Sequence, residues 1–152
     1  MRLTLVLGLI GLSALLFACS SDDSDSPAAT ATTAAASGGA ATGSTVEVTL
    51  SDFVLALSAD STPAGAVTFK ASNTGSTPHE VVVLKTDLEE DKLPLDGAQV
   101  DEGLVGAIGE VEEFPAGQKA EATFELAAGR YVLICNVAGH YQLGMHTVFT
   151  VE

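Results

Sequence analysis

From Thr45 onward apolar and polar residues alternate with a period of two, and this alternation, broken into short runs, decides what the chain can fold into. Val46, Val48 and Leu50 alternate with Glu47 and Thr49, and Phe53, Leu55 and Leu57 follow. Val67, Phe69 and Ala71 alternate with Thr68 and Lys70; Ala120, Ala122, Phe124 and Leu126 alternate with Glu121, Thr123 and Glu125. Glu110 to Phe114, Tyr131 to Cys135, and Thr147, Phe149 and Val151 supply three more runs. Glu80 to Leu84 is apolar at every position after the first, as a central strand covered on both faces would be. Pro63-Ala64-Gly65, Asn73-Thr74-Gly75, Pro115-Ala116-Gly117 and Gly129 punctuate the series. Eight short strands without a long helical pattern predict an all-β sandwich or barrel. The exception is Thr86 to Gly109, a long acidic insertion with room for one short helix.

The first 44 residues have a different character. Met1-Arg2 brings a positive charge, Leu3 to Phe17 is largely apolar, and Ala18-Cys19 follows, which reads as an export signal over residues 1–18. Such a run is short for a membrane span, which needs roughly 20 residues. Leu16-Phe17-Ala18-Cys19 resembles a bacterial lipobox, in which Cys19 becomes a lipidated N-terminus. Residues 19–44 are mostly Ser, Asp, Ala, Thr and Gly, too poor in large apolar side chains to build a core, and are expected to form a flexible linker reaching about 25 to 30 Å. Residues 45–152 are then one domain of about 105 residues, enough for a single core. The expected location is the cell envelope, with the protein exported and held to a membrane only through its N-terminal lipid.

Charge narrows the partners. The chain has 20 acidic and 6 basic residues, a formal net charge of −14, and no basic cluster. This argues against nucleic acid or an anionic membrane surface and favours a basic protein face.

Chemistry concentrates between the last two strands, in Cys135-Asn136-Val137-Ala138-Gly139-His140-Tyr141-Gln142-Leu143-Gly144-Met145. A thiol, an imidazole and a thioether recur at even intervals on one loop at one end of the β-structure. A buried inert cysteine is the ordinary reading of a lone thiol, but Met145 is the only methionine beyond Met1, and Cys135 has no disulfide partner if Cys19 is lipidated. A thiolate, two imidazoles and a weak thioether form the site that suits copper in electron transfer. His79, after Gly75-Ser76-Thr77-Pro78 and before a buried strand, is the natural second imidazole. Strand parity turns Met145 to the same face as Phe149 and His146 to the opposite one. Loop geometry at a strand start can override parity, so His146 stays an alternative ligand, and Gln142 an alternative axial donor.

Asn73-Thr74-Gly75 through His79-Glu80, Gly129-Arg130-Tyr131 through Cys135, Gly139-His140-Tyr141 and Gly144-Met145 together resemble the cupredoxins, the small blue copper proteins of the plastocyanin and azurin superfamily. Four residues separate Cys135 from His140 and four separate His140 from Met145, a spacing similar to the auracyanin, rusticyanin and sulfocyanin branch. The resemblance implies an eight-stranded Greek-key β-sandwich with one type 1 copper, held by His79, Cys135 and His140 in the equatorial plane and Met145 axially. It implies a monomeric electron carrier rather than an enzyme, exchanging electrons with transient redox partners such as a cytochrome or an oxidase. His140 would lie at the solvent edge, with Ala138, Tyr141 and Leu143 as a docking patch. Glu80 stands where many cupredoxins have asparagine, so that asparagine's side-chain contacts are expected to be missing, while the backbone amide stays available to the thiolate. A copper carrier is the second function consistent with these residues, although the chain has no methionine-rich or histidine-rich tract to support it. A metal-free structural lipoprotein is the third.

Overall fold

The computed structural model describes residues 43–152. The export signal, Cys19 and the linker up to residue 42 lie outside the described residues. In chain order the described elements are β1 (Ser44–Ser51), β2 (Val54–Leu57), β3 (Ser61–Thr62), β4 (Gly65–Asn73), β5 (His79–Leu84), β6 (Leu95–Asp96), β7 (Gln99–Val100), α1 (Glu102–Val105), β8 (Ala107–Phe114), β9 (Lys119–Leu126), β10 (Gly129–Ile134), a 3-10 turn at Tyr141–Leu143, and β11 (His146–Val151). Eight of these strands have four or more residues, and each overlaps one of the eight runs read from the sequence. The other three have two residues each, too few to show a period in the sequence.

The strands form two mixed sheets in the orders β2-β1-β4-β9 and β3-β11-β10-β5-β8. The alternation sets which side chains meet between them. Val46, Val48 and Leu50 of β1 and Val67, Phe69 and Ala71 of β4 point inward, toward Val81 and Val83 of β5, Tyr131 and Leu133 of β10, and Phe149 and Val151 of β11. Phe69 reaches across to Phe149 edge to face, with ring centroids 5.4 Å apart. The result is an all-β sandwich, one of the two architectures the strand pattern allows.

The second sheet is covered on its outer face as well. Val82 and Leu84 of β5 and Val132 and Ile134 of β10 point away from the main core into a smaller one, closed by Leu93, Val100, Val105 and Tyr141. Three of those four come from the acidic insertion, which folds back as the β6–β7 hairpin and α1. Asp101 caps α1 by accepting from the Gly103 amide at 3.1 Å. Gly106 ends it in the left-handed region, and a Cβ there would meet the Lys85 carbonyl oxygen at 2.7 Å. Arg130 ties down the start of the insertion by donating to the carbonyls of Thr86 and Leu88 and pairing with Glu90. The expected short helix is present, but the larger part of the insertion acts as a lid over β5 and β10.

If the lid seals that face, Leu84→Ala should cost about 2 to 5 kcal/mol in equilibrium unfolding of the metal-free protein, the range for a truncated core leucine. A loss below about 1 kcal/mol would mean that the face is open to water.

Candidate metal centre

Parity along the second sheet builds the site. Cys135 follows Ile134 and continues the inward face of Tyr131 and Leu133; Met145 precedes β11 and continues the inward face of Phe149 and Val151. His79 opens β5 on the face of Val81 and Val83. Order in the sheet is β11-β10-β5, so Met145, Cys135 and His79 come from three adjacent strands at one end of the sandwich. The Cys135 amide donates to the Met145 carbonyl at 3.0 Å, extending the β10–β11 ladder by one step.

His140 comes from the loop. Its amide donates to the Val137 carbonyl at 2.9 Å, and its own carbonyl accepts from Leu143 at 3.1 Å and Met145 at 3.2 Å. These bonds wind the four residues between His140 and Met145 into a single turn, which Gly144 leaves at φ 105°. The imidazole is brought back over the strand ends, with Phe53 against it edge to face at 5.0 Å.

The three donors converge. His79 Nδ1 lies 3.2 Å from His140 Nδ1, and Cys135 Sγ lies 3.7 Å and 3.5 Å from them. His79 and Cys135 have no exposure and His140 has 8%; Met145, fully buried, packs in the same core as Cys135. His146 faces the other way, onto the Tyr141 ring at 5.3 Å, and Gln142 is exposed. Neither joins the group. Tyr141 is buried, its hydroxyl accepting from the Leu93 amide at 2.8 Å, and it belongs to the lid and not to a docking patch. Its burial depends on the insertion, which the loop pattern does not contain.

Residues outside the loop pattern hold these side chains. Asp52, in the connection between β1 and β2, accepts from His79 Nε2 at 3.1 Å. Hydroxyl and amide donors of Ser76 and the hydroxyl of Thr77 hold its carboxyl well below the usual carboxylate range. A carboxylate only accepts, so the His79 proton is on Nε2 and Nδ1 turns a lone pair into the site. The same order fits a bound metal and has no other partner than the two neighbouring donors. Burial pushes the Cys135 thiol up, opposed by the amides of Glu80 and Val137, which donate to its sulfur. Burial, followed by the neighbouring His79, pulls His140 down. Both shifts favour the uncharged form of the group, Cys135 as the thiol and His140 as the neutral imidazole. Two imidazoles, a thiol assisted by two amides and a buried thioether are a donor set suited to copper.

The lid also grips the loop. The Asn136 side chain accepts from the Val100 amide at 2.6 Å and donates to the Val100 carbonyl at 3.2 Å and to Glu102 at 2.8 Å. Gln99 donates to the Asn136 carbonyl and Gly139 to the Ala98 carbonyl, both at 2.8 Å. The Glu80 carboxylate accepts from the backbone amide of Asn136. Burial first, then Glu110, Glu102 and Glu113, push Glu80 up to about 7.

Asn136→Ala would strand the buried amide and carbonyl of Val100, and urea unfolding of the metal-free protein should register a loss of about 2 to 4 kcal/mol. Glu80 makes a prediction with a definite sign. Its folded pKa lies above the ordinary value, so ionisation opposes folding: the penalty is absent below about pH 4.5, grows toward pH 7 and is constant above it. Glu80→Gln should therefore gain about 1 kcal/mol more over wild type at pH 8 than at pH 4.5, after allowance for screening of a partly exposed group. An equal difference at both pH values would contradict the assignment.

Comparison with known proteins agrees with the geometry. The sulfocyanin (SoxE) domain model matches residues 56–152. No curated protein matches the chain significantly. Among solved structures it is similar to the dithionite-reduced auracyanin of Roseiflexus castenholzii, at 24% identity over 75% of this chain and 99% of that one, TM-score 0.51. Auracyanin A of Chloroflexus aurantiacus, described as a blue copper protein, matches at 23% identity over 72% and 99%, TM-score 0.51. Reduced rusticyanin matches at 20% over 71% and 79%, TM-score 0.50. At these identities the structures speak for the fold, and the family model, which spans well over half of the chain, speaks for the family. With its sandwich, and with His79, Cys135, His140 and Met145 gathered at one end as one type 1 copper site requires, the chain belongs to the sulfocyanin (SoxE) domain family of cupredoxins.

Proposed function

We propose that the protein is a one-electron carrier of the blue copper type, and that His79, Cys135 and His140, with Met145 as the weak fourth donor, hold the metal. The convergence of two imidazole nitrogens and one sulfur in a buried, hydrogen-bonded setting carries this reading. Bound there, copper supplies a one-electron couple between its two common oxidation states. The chain's own part is to keep the donors in place while the charge changes. β5, β10 and β11 fix His79, Cys135 and Met145 from below, and the lid fixes the loop through Asn136, Gly139 and Tyr141. A scaffold held from two sides changes shape little when an electron arrives or leaves, which suits transfer better than release of the ion.

His140 is the most exposed of the three gathered donors and is the electron's entry and exit. Ala138 and Leu143 are exposed nearby in the loop, Leu143 at 59%, and offer a small apolar contact. The chain's net charge of −14 favours a basic face on the partner, a transient redox protein such as a cytochrome or an oxidase. An export signal ending before Cys19, followed by a polar linker, supports a lipid-anchored location at the cell envelope, and the carrier works there as a monomer without transforming a substrate.

The test is the visible spectrum of the full chain loaded with Cu(II), beside Cys135→Ser. A strong thiolate-to-copper band in the orange-red, lost in the variant, is the expected result. Weak colour, or equal copper binding without Cys135, would replace the electron carrier by a copper-handling protein.

A further inference from the structure

Asp52 lies 27 positions before His79 and outside every donor motif, yet its carboxylate is the partner of the histidine's outer nitrogen. The contact is built from several sides. The Ser76 amide and hydroxyl donate to Oδ2 at 2.8 Å and 2.5 Å, and the Thr77 hydroxyl and amide donate to Oδ1 at 2.8 Å and 3.4 Å. Oδ1 is also the atom that faces His79 Nε2. Gly75 leaves the space in which they meet: a Cβ there would stand 2.5 Å from Oδ1 and 2.9 Å from Nε2. Asn73 shapes the same connection by donating to the Thr77 and Phe114 carbonyls and accepting from the Gly75 amide. Only a residue without a side chain at position 75 lets the carboxylate touch the ring.

We propose that Asp52 is a positioning residue that tunes the metal centre through His79, holding the ring proton on Nε2, presenting Nδ1 to the metal, and favouring oxidised over reduced copper. This rests on the copper reading given above. A carboxylate partner makes an imidazole a stronger donor and fixes its orientation. It also adds a negative charge one ring away from the metal, which favours the ion of higher charge and lowers the midpoint potential. Donors to the carboxylate temper the effect. Thr77 competes with His79 for Oδ1, so removing its hydroxyl should strengthen the carboxylate's hold on the ring.

The experiment compares full chains loaded with copper. Asp52→Asn keeps a side-chain oxygen and removes the charge, and should raise the ratio of Cu(I) to Cu(II) affinity about tenfold, an upward shift of about 59 mV in midpoint potential. Thr77→Val keeps the shape of the turn and should move the ratio the opposite way. Opposite signs are the signature, because a loosened site would shift both variants together. In the metal-free protein, nitrogen NMR should find His79 protonated at Nε2 in wild type and a mixture of tautomers in Asp52→Ala. An unchanged or lowered potential in Asp52→Asn, a rise in Thr77→Val, or an unaltered tautomer in Asp52→Ala overturns the proposal. Thr77→Val decides alone if Asp52→Asn fails to fold. A wild type without the thiolate-to-copper band overturns the copper reading and this one with it, whereas a wild-type band with an unmoved Asp52→Asn potential overturns this one only.

Discussion

Burying lone pairs next to one another is the constraint on which this molecule is built. Two imidazole nitrogens stand 3.2 Å apart with a sulfur 3.5 Å and 3.7 Å away, at the closed end of an apolar core. Left to itself such a cluster costs free energy, since polar atoms have lost water and gained few donors. The surroundings offset that cost at each member: a carboxylate accepts a hydrogen bond from the outer N–H of His79, two backbone amides reach the sulfur, and a tight turn holds His140. The two ring nitrogens and the sulfur face one another, where a soft cation would sit.

Holding such a cluster in register requires that the supporting strands do not give. β5 and β10 are the two strands that carry His79 and lead to Cys135, and they are also the two with apolar side chains on both faces. The main core meets Val81, Val83, Tyr131 and Leu133; the lid meets Val82, Leu84, Val132 and Ile134. An edge strand or a sheet open to water on one side would leave these backbones freer. The insertion thus contributes to the site without placing a ligand in it. Its hydrogen bonds to Asn136 and Gly139 reach the loop from outside, as the amides of Glu80 and Val137 reach the sulfur from within.

Much of this was legible in the sequence because it is periodic or local. Short alternating or continuously apolar runs located all eight longer strands, and parity alone turned Met145 inward and His146 outward. Cys135, His140 and Met145 stood out because they share one loop, and the strand-opening position of His79 left it as the remaining imidazole with a buried strand behind it. Contacts between distant, individually ordinary residues were not legible. Asp52 follows a strand and looks like any turn aspartate; its role depends on Gly75, Ser76 and Thr77 arriving from another connection. The one hint was local, a glycine followed by two hydroxyl residues shortly before a candidate ligand. Tyr141 looked like a surface aromatic of the loop, and only the folding of the insertion gives its hydroxyl the Leu93 amide. The two-residue strands carry no period at all.

Two carboxylates flank the same histidine, and their environments drive them apart. Asp52 is surrounded by donors from Ser76 and Thr77 and stays ionised; Glu80, next in sequence to His79, sits partly buried among Glu110, Glu102 and Glu113 and is pushed up to about 7. Divergent environments of this kind assign different tasks to chemically similar groups. The charged one touches the ring through its outer nitrogen, where it polarises the imidazole without competing for the metal-facing lone pair. The one that resists charge leaves its backbone amide on the cysteine sulfur and its side chain on the Asn136 amide, so that it braces the two ligand-bearing segments against each other. Asparagine in that position would brace without titrating. Glutamate braces and, among so many neighbouring carboxylates, limits how much further negative charge accumulates on the cysteine side of the site. Negative charge meets the site from two sides: Asp52 acts through the His79 ring, while Glu80 and Glu113 act through space on the Cys135 sulfur and help to push its thiol up.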